Sequence, residues 1–191
     1  TNHVFSNKHQ HCINNRTAAA AIAATPAANA VTAAEDLTIV GPLGTAVTTA
    51  DAADSAKQTV SHINALTSQT GVSATAQTYL QLASSNATGE SYAIQINGVS
   101  SGNFTISSAS VEDAVRAINS VAGATGVTAT STSDGKVLMF DNDGDDITIE
   151  NMADGTSLTV QKMGYQGTAV IGQGVTLGAS GVNDSTRVSG A

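Results

Sequence analysis

The stretch at residues 60–75, VSHINALTSQTGVSAT, returns fifty-five positions later at residues 115–130 as VRAINSVAGATGVTAT. Both stretches carry an Ile-Asn pair, then Thr-Gly-Val, then Ala-Thr, and the register needs no gap from Ser55 to Thr75. A match that keeps these motifs in the same order and spacing indicates an internal duplication.

Each copy begins with a helix signal. Ser110 and Asp113 have the spacing of a capping box, and Asp54 is the expected N-cap of the first copy. The apolar positions that follow recur at helical spacing: Ala56, Val60, Ile63 and Leu66 in the first copy, and Val111, Ala114, Val115, Ile118 and Ala122 in the second. Glycine near the end of each pattern, near Gly71 in the first copy and at residues 123–126 in the second, predicts that a residue in the left-handed conformation ends each helix.

Strand signals surround the helices. Apolar residues alternate with polar ones from Tyr92 to Ile96, and Asn97-Gly98 follows as a tight-turn signal. Three Asp-Gly dipeptides, beginning at Asp134, Asp143 and Asp154, separate further apolar runs and predict a β-meander. The chain beyond Met163 is rich in glycine and predicts a last strand or a return toward the start.

These patterns predict an elongated α+β protein with two similar modules, each a helix packed on an antiparallel sheet of β-meander hairpins. The predicted segments are a flexible leader or tag at 1–17, an Ala-rich linker or helix at 18–36, a first module at 37–91, a second module at 92–162, and a Gly-rich strand or return segment at 163–191. The conserved core of the repeat consists of ten residues: Val60, Ile63, Asn64, Gly71, Val72, Val115, Ile118, Asn119, Gly126 and Val127.

Charge and composition exclude several classes of partner. A formal net charge of −8, with seven scattered basic residues, argues against nucleic acid and against anionic membrane surfaces. No run approaches the roughly 20 apolar residues that a membrane-spanning helix needs. Because Cys12 is the only cysteine, no disulfide forms within the chain, which suits both the cytosol and export of an unfolded chain.

The leader differs from the rest of the chain in its residue types. It contains His3, His9, His11 and Cys12, so a zinc site is one interpretation and a simple polar arm is the favoured one. A secretion signal ending near residues 28–30 is a further interpretation, weakened by its poorly apolar middle.

The repeated residues resemble a known motif. Residues 94–98 (IQING), the helix from Ser110 to Asn119, residues 125–129 (TGVTA) and residues 135–138 (GKVL) resemble the hook "IN" motif of bacterial flagellins. The first copy matches through its Ile-Asn and Thr-Gly-Val, although Pro42 stands where the motif has a turn. This resemblance implies the variable outer domain of a flagellin, which is extracellular and forms the filament surface, without the long polymerising helices.

The same resemblance implies partners and leaves alternatives open. A flagellin outer domain has other flagellin subunits as partners through regions absent here, is monomeric by itself, and presents a surface to antibodies, host receptors and attached glycans. The Ser pairs at 84–85 and 100–101 and the run at 131–133 are candidate glycan positions, or ordinary polar turns. A filament-cap or hook-associated protein, and a secreted adhesin or glycan-binding module, remain as alternative functions.

Chemical motifs point away from catalysis. No nucleophile elbow, phosphate loop or His-Glu-x-x-His motif occurs, so we expect no enzyme activity and no cofactor. His62 is expected to be a polar residue on the helix surface, because the second copy has Ala117 there. Asp141, Asp143 and Asp145 suggest calcium, but an EF-hand needs Gly and Glu where Asp146 and Met152 stand, so Asp-Gly turns are the favoured interpretation.

Overall fold

The computed structural model describes residues 3–5, 23–84, 86, 88–152, 157–178 and 184–190. Within these ranges the strands are β1 (His3–Phe5), β2 (Thr38–Val40), β3 (Thr45–Val47), β4 (Thr78–Ala83), β5 (Glu90–Ile96), β6 (Val99–Ile106), β7 (Thr128–Ser131), β8 (Val137–Asp141), β9 (Ile147–Asn151), β10 (Ser157–Met163), β11 (Val175–Gly178) and β12 (Asp184–Val188). The helices are α1 (Ala56–Ala65), α2 (Thr67–Thr70), α3 (Glu112–Ser120) and α4 (Ala122–Thr125), with a 3-10 turn at Tyr165–Gly167.

The strands form three sheets. One has five strands in the order β11-β10-β4-β8-β7, a second has four in the order β12-β9-β5-β6, and a small one has the order β1-β2-β3. Every pairing is antiparallel except that of β1 with β2. The predicted α+β class is therefore confirmed, with mainly antiparallel sheets and few helices.

The five-stranded and four-stranded sheets share one core. Alternate residues are buried in most of these strands, as in β4, where Leu80 and Leu82 are buried while Gln81 between them is half-buried. The largest fully buried side chains of this core are Tyr92, Phe104, Leu80, Leu82, Ile94, Ile96, Ile106, Ile118, Met139, Ile147 and Ile149. Because each buried Ile or Leu contributes about 1.5–3 kcal/mol, this core is the main source of stability.

Helix α3 lies where the two sheets come apart. It packs against β6, an edge strand of the four-stranded sheet, and against β7, an edge strand of the five-stranded sheet. At the other edges, β11 contacts β12. Ile118 and Ala114 of the helix, both fully buried, complete the core at this point.

A second, smaller core belongs to the first copy of the repeat. Leu37, Ile39 and Ile63 are its buried residues, and Leu66, Val72 and Ala74 pack against them. The β2–β3 hairpin that supplies Ile39 turns at residues 41–44, where the Gly41 N–H donates to the Gly44 carbonyl oxygen. Pro42 therefore does not prevent a tight turn here.

Two predicted hairpins are confirmed. Strands β5 and β6 pair around Asn97-Gly98, whose φ angles of 50° and 80° give the left-handed pair that such a turn needs. Strands β7 and β8 pair around Asp134-Gly135, where Gly135 has φ 73°.

The predicted β-meander is wrong. Strands β8, β9 and β10 follow one another in sequence, but β8 and β10 belong to the five-stranded sheet and β9 to the other. The Asp143-Gly144 loop therefore crosses between sheets, and Gly144 packs so tightly that a Cβ there would lie 2.4 Å from Cβ of Ala76. An Asp-Gly dipeptide signals a turn, but it does not signal which strand pairs next. The turn predicted at Asp154 lies outside the described residues.

The expected helix caps are also wrong, each by one residue. Ser55 caps α1 and forms the capping box with Gln58, whereas Asp54 accepts a hydrogen bond from the Asp51 N–H. Helix α3 has Val111 at its N-cap and no side-chain cap. The carboxylate of Asp113 instead accepts from the Thr105 N–H at 2.7 Å, which, together with Arg116, lowers the pKa of Asp113.

The beginning and the end of the described fold lie side by side. Ala23 and Ser185 form an antiparallel bridge, and Arg187 of β12 donates to the carbonyl oxygen of Ala27 and to Asp146. Residues 24–36 contain no helix, and β11 and β12 are strands within the Gly-rich segment 163–191. Of the predicted leader, the structure describes only β1.

Candidate functional site

The two copies of the repeat contain the same asparagine contact, which we call the Asn clasp. The side-chain amide of Asn119 donates to the Ala129 carbonyl oxygen at 2.9 Å, and its oxygen accepts from the Ala129 N–H at 2.8 Å. Asn64 makes the same two bonds with Ala74, at 3.0 and 2.8 Å. Each asparagine thus joins the end of a helix to the chain ten residues later.

Threonine makes a second repeated contact between helix and following chain. The hydroxyl of Thr125 donates to the Val121 carbonyl oxygen at 3.2 Å and accepts from the Val127 N–H at 3.1 Å. Thr70 bonds to Leu66 and Val72 in the same way, at 3.0 and 3.2 Å. The short helices α2 and α4 are held closed by these bonds.

Glycine ends each short helix in the left-handed region. Gly71 has φ 72° and Gly126 has φ 76°, and both N–H groups donate to the carbonyl oxygen four residues earlier. An L residue is strained at such an angle, which explains glycine at both positions. The predicted left-handed stops are confirmed.

The apolar members of the repeat core are buried to different degrees. Ile63 and Ile118 are both buried in helices, at 2% and 0% exposure. Ile118 faces the main core, whereas Ile63 faces the small one. Val127 is buried while Val60, Val72 and Val115 are half-buried.

The Asn clasp of the second copy protects a sheet edge. Strand β7 is an edge strand, and edge strands present unpaired backbone groups. The Asn119 side chain bonds to both backbone groups of Ala129 in that strand. In the first copy, residues 71–77 form no strand, so Asn64 clasps irregular chain instead.

The three aspartates suggested as calcium ligands, Asp141, Asp143 and Asp145, contact backbone N–H groups and a lysine of the protein itself. Oδ1 of Asp141 accepts from three backbone N–H groups, those of residues 143, 144 and 145, at 2.8–3.2 Å. Nζ of Lys57 lies 3.3 Å from Asp143 and 2.8 Å from Asp145. Both carboxylates raise the pKa of Lys57, with the Asp145 hydrogen bond the largest cause. These contacts give the cluster the role of joining the crossing loop to α1.

A different group of ligand-type side chains meets at the start of α1. Asp51, Asp54 and His62 place one oxygen or nitrogen each within 4.8 Å of one another. The sequence predicts His62 as a polar residue on the helix surface, and its side chain is 30% exposed in the structure. The sequence does not predict that Asp51 and Asp54 lie beside it. The sequence signal is weak: two aspartates three positions apart, followed eight residues later by a helix histidine.

Some expected sites lie outside the described residues. They include His9, His11 and Cys12 of the suggested zinc arm, and Ser85 among the glycan candidates. Ser84 and Ser101 are described and buried, so they are not available to sugars in the folded chain, while Ser100, Ser131 and Ser133 are exposed.

The described part of the chain contains no helix with the length and apolarity to cross a bilayer. A scan against protein-family models gave no match, and neither did a search among curated proteins.

Proposed function

We propose that this chain is an extracellular structural protein, the surface-exposed outer domain of a bacterial flagellin. The observation that carries the proposal is the duplicated Ile-Asn and Thr-Gly-Val segment, in which both copies have the same Asn clasp and the same Thr contacts. These are the residues through which the sequence resembles the flagellin hook motif. The repeated Asn and Thr side chains form hydrogen bonds that fix the backbone after each helix, which is a structural role.

The two copies are modules of one design, each a helix packed on antiparallel strands. Contacts of α3 with β6 and β7 support this for the second copy, and the packing of Ile63 with Ile39 of β2 supports it for the first. The modules differ in size because the second copy lies in the large shared core and the first in the small one. The larger core includes strands from outside the repeat, such as β4 and β12.

The use of aromatic side chains favours a structural role over sugar binding. Tyr92 and Phe104 stack in the core with ring centroids 6.0 Å apart, and both are at least 98% buried. Tyr79 and Phe140 stack at 5.7 Å. Glycan sites use exposed rings as stacking platforms. Among the aromatic side chains whose exposure is described, only Tyr165 is exposed, at 40%, and this scarcity weighs against the adhesin alternative.

An immunogold experiment tests the proposal. Antibodies raised against the purified chain are applied to flagellated cells of the bacterium whose genome encodes it, and the label is located by electron microscopy. We expect labelling along the whole filament. Absence of label from filaments of cells that express the protein would overturn the proposal.

The same experiment separates the related alternatives. Label confined to the distal tip indicates a filament-cap protein, and label confined to the base of the filament indicates a hook-associated protein. A deletion strain, in which all label must disappear, is the control for antibody specificity.

Solution behaviour gives a second test. The longest helix in the described part of the chain is α1, with ten residues, so these residues include no long polymerising helix. We therefore expect the purified chain to be monomeric in sedimentation velocity and to form no filaments at high concentration. Self-assembly into filaments would contradict the assignment as an outer domain.

A further inference from the structure

The loop before α1 folds back onto that helix and brings three ligand-type side chains together. The loop is held in place by two bonds between Leu37 and Thr48, one from each backbone N–H. Nδ1 of His62, on the helix, then lies 3.8 Å from Oδ2 of Asp54 and contacts the carbonyl oxygen of Thr49. Asp51 supplies a second carboxylate to the same place.

Asp54 has a buried oxygen without a partner. Its side chain is 2% exposed, and among the described residues Oδ1 finds no hydrogen-bond donor. Oδ2 accepts from the Asp51 N–H at 2.9 Å, and this bond fixes the orientation of the carboxylate. Leaving a buried carboxylate oxygen unsatisfied is costly, so such an atom indicates a missing cation or donor.

The second copy of the repeat provides an internal comparison. The same offset of fifty-five places Ala117 at the position of His62, Ala109 at that of Asp54 and Ile106 at that of Asp51. The repeated architecture therefore does not require any of the three polar side chains. The first copy has all of them, and the structure brings all of them together.

We propose that Asp51, Asp54 and His62 bind a divalent transition-metal ion of the zinc class. Two atoms bound to one tetrahedral zinc ion lie about 3.4 Å apart, given metal–ligand distances of about 2.0–2.2 Å. The 3.8 Å between His62 and Asp54 needs only a small closure to reach this value. The imidazole favours zinc over calcium or magnesium, which prefer oxygen ligands alone.

The site is reachable from solvent. His62 and Asp51 border a shallow surface depression that Val47, Thr49 and Leu66 also line. The His62 side chain is 30% exposed. For Nδ1 to bind the ion, its contact with the Thr49 carbonyl oxygen has to open and the imidazole proton has to lie on Nε2. Water would complete the coordination of the ion. The ion then fastens the loop at 48–54 to the helix.

Zinc binding to the full chain tests the proposal. The leader offers its own zinc ligands, so all measurements use a background with His3, His9 and His11 changed to Gln and Cys12 changed to Ser. Zinc affinity is measured by competition with a chromogenic chelator. We expect one bound zinc per chain, and a loss of affinity of at least about tenfold in His62→Ala and in Asp54→Asn.

A matched control and a direct readout complete the test. Asp143→Asn removes a carboxylate from the Lys57 cluster and should leave zinc affinity unchanged. In ¹⁵N spectra of the imidazole ring, Nδ1 of His62 should shift on zinc addition in the background protein. The proposal is overturned if the background binds no zinc, if His62→Ala binds as well as the background, or if zinc leaves the His62 resonance in place. Circular dichroism verifies that each variant is folded.

Discussion

Replacing Asn119 by Ala removes the whole clasp of the second copy in one change. Two hydrogen bonds are lost, at 2.9 and 2.8 Å, and each contributes about 1 kcal/mol net. Ala129 is 3% exposed, so water reaches its freed backbone groups poorly. We therefore expect Asn119→Ala to lower the free energy of unfolding by about 2–3 kcal/mol.

The first copy should respond less to the same change. Ala74 is half-buried and lies outside any strand, so water replaces much of what Asn64 supplies. We expect Asn64→Ala to cost about 1 kcal/mol. The comparison is informative because the two clasps have nearly the same bond lengths and differ mainly in the burial of their backbone partner.

Urea unfolding followed by far-UV circular dichroism measures both values, since the chain has no tryptophan. Asn103→Ala, at an exposed position of β6, is the matched control and should change the free energy of unfolding by less than about 0.5 kcal/mol. The reasoning is refuted if Asn119→Ala is no more destabilising than this control, or if Asn64→Ala costs more than Asn119→Ala.

Three further predictions concern backbone, charge and the ends of the fold. Gly126→Ala, at φ 76°, should cost about 1–2 kcal/mol in urea unfolding, whereas Gly123→Ala, with open space around its Cβ, should stabilise by about 0.5 kcal/mol; equal effects would contradict this. Burial lowers the pKa of Lys162 below 10.5, so the contribution of this residue to stability should rise as the pH increases towards 10.5. The free energy of unfolding of the wild type minus that of Lys162→Met should therefore increase with pH in this window, and a constant difference would refute the prediction. Arg187→Ala should speed hydrogen–deuterium exchange of the backbone amides at residues 23–31, measured by mass spectrometry. Unchanged exchange there would show that Arg187 does not stabilise this segment.

Local signals in the sequence were sufficient for the helices and tight turns. The Ile-Asn pairs lie in α1 and α3, Gly71 and Gly126 end the short helices α2 and α4 that follow, and Asn97-Gly98 forms its hairpin. Each of these features depends on a few residues that are neighbours in sequence, so the local sequence pattern is enough to predict it. The cap of α1 was missed by one residue because Asp54 and Ser55 are adjacent polar side chains and either can cap a helix. The capping box of α3 is absent because the Asp113 carboxylate accepts from the Thr105 N–H instead.

Sheet membership was not predictable in this way. Tyr79 of β4 pairs with Met163 of β10, far along the chain, and nothing in either strand specifies the other. The Asp51, Asp54 and His62 group was missed for the same reason, because it exists only after the loop at 48–54 folds back on α1. Alternating burial identifies a strand, but its partner depends on how all the strands share one core.

The bridge between Ala23 and Ser185 has a mechanical consequence. In a hydrogen-bonded antiparallel pair the two Cα atoms lie about 5.5 Å apart, so residues far apart in sequence are held together at this point. A tensile force applied at Ala23 and Ser185 would load the two hydrogen bonds of this bridge first. The strand pairs behind the bridge would carry the load only after these two bonds had broken.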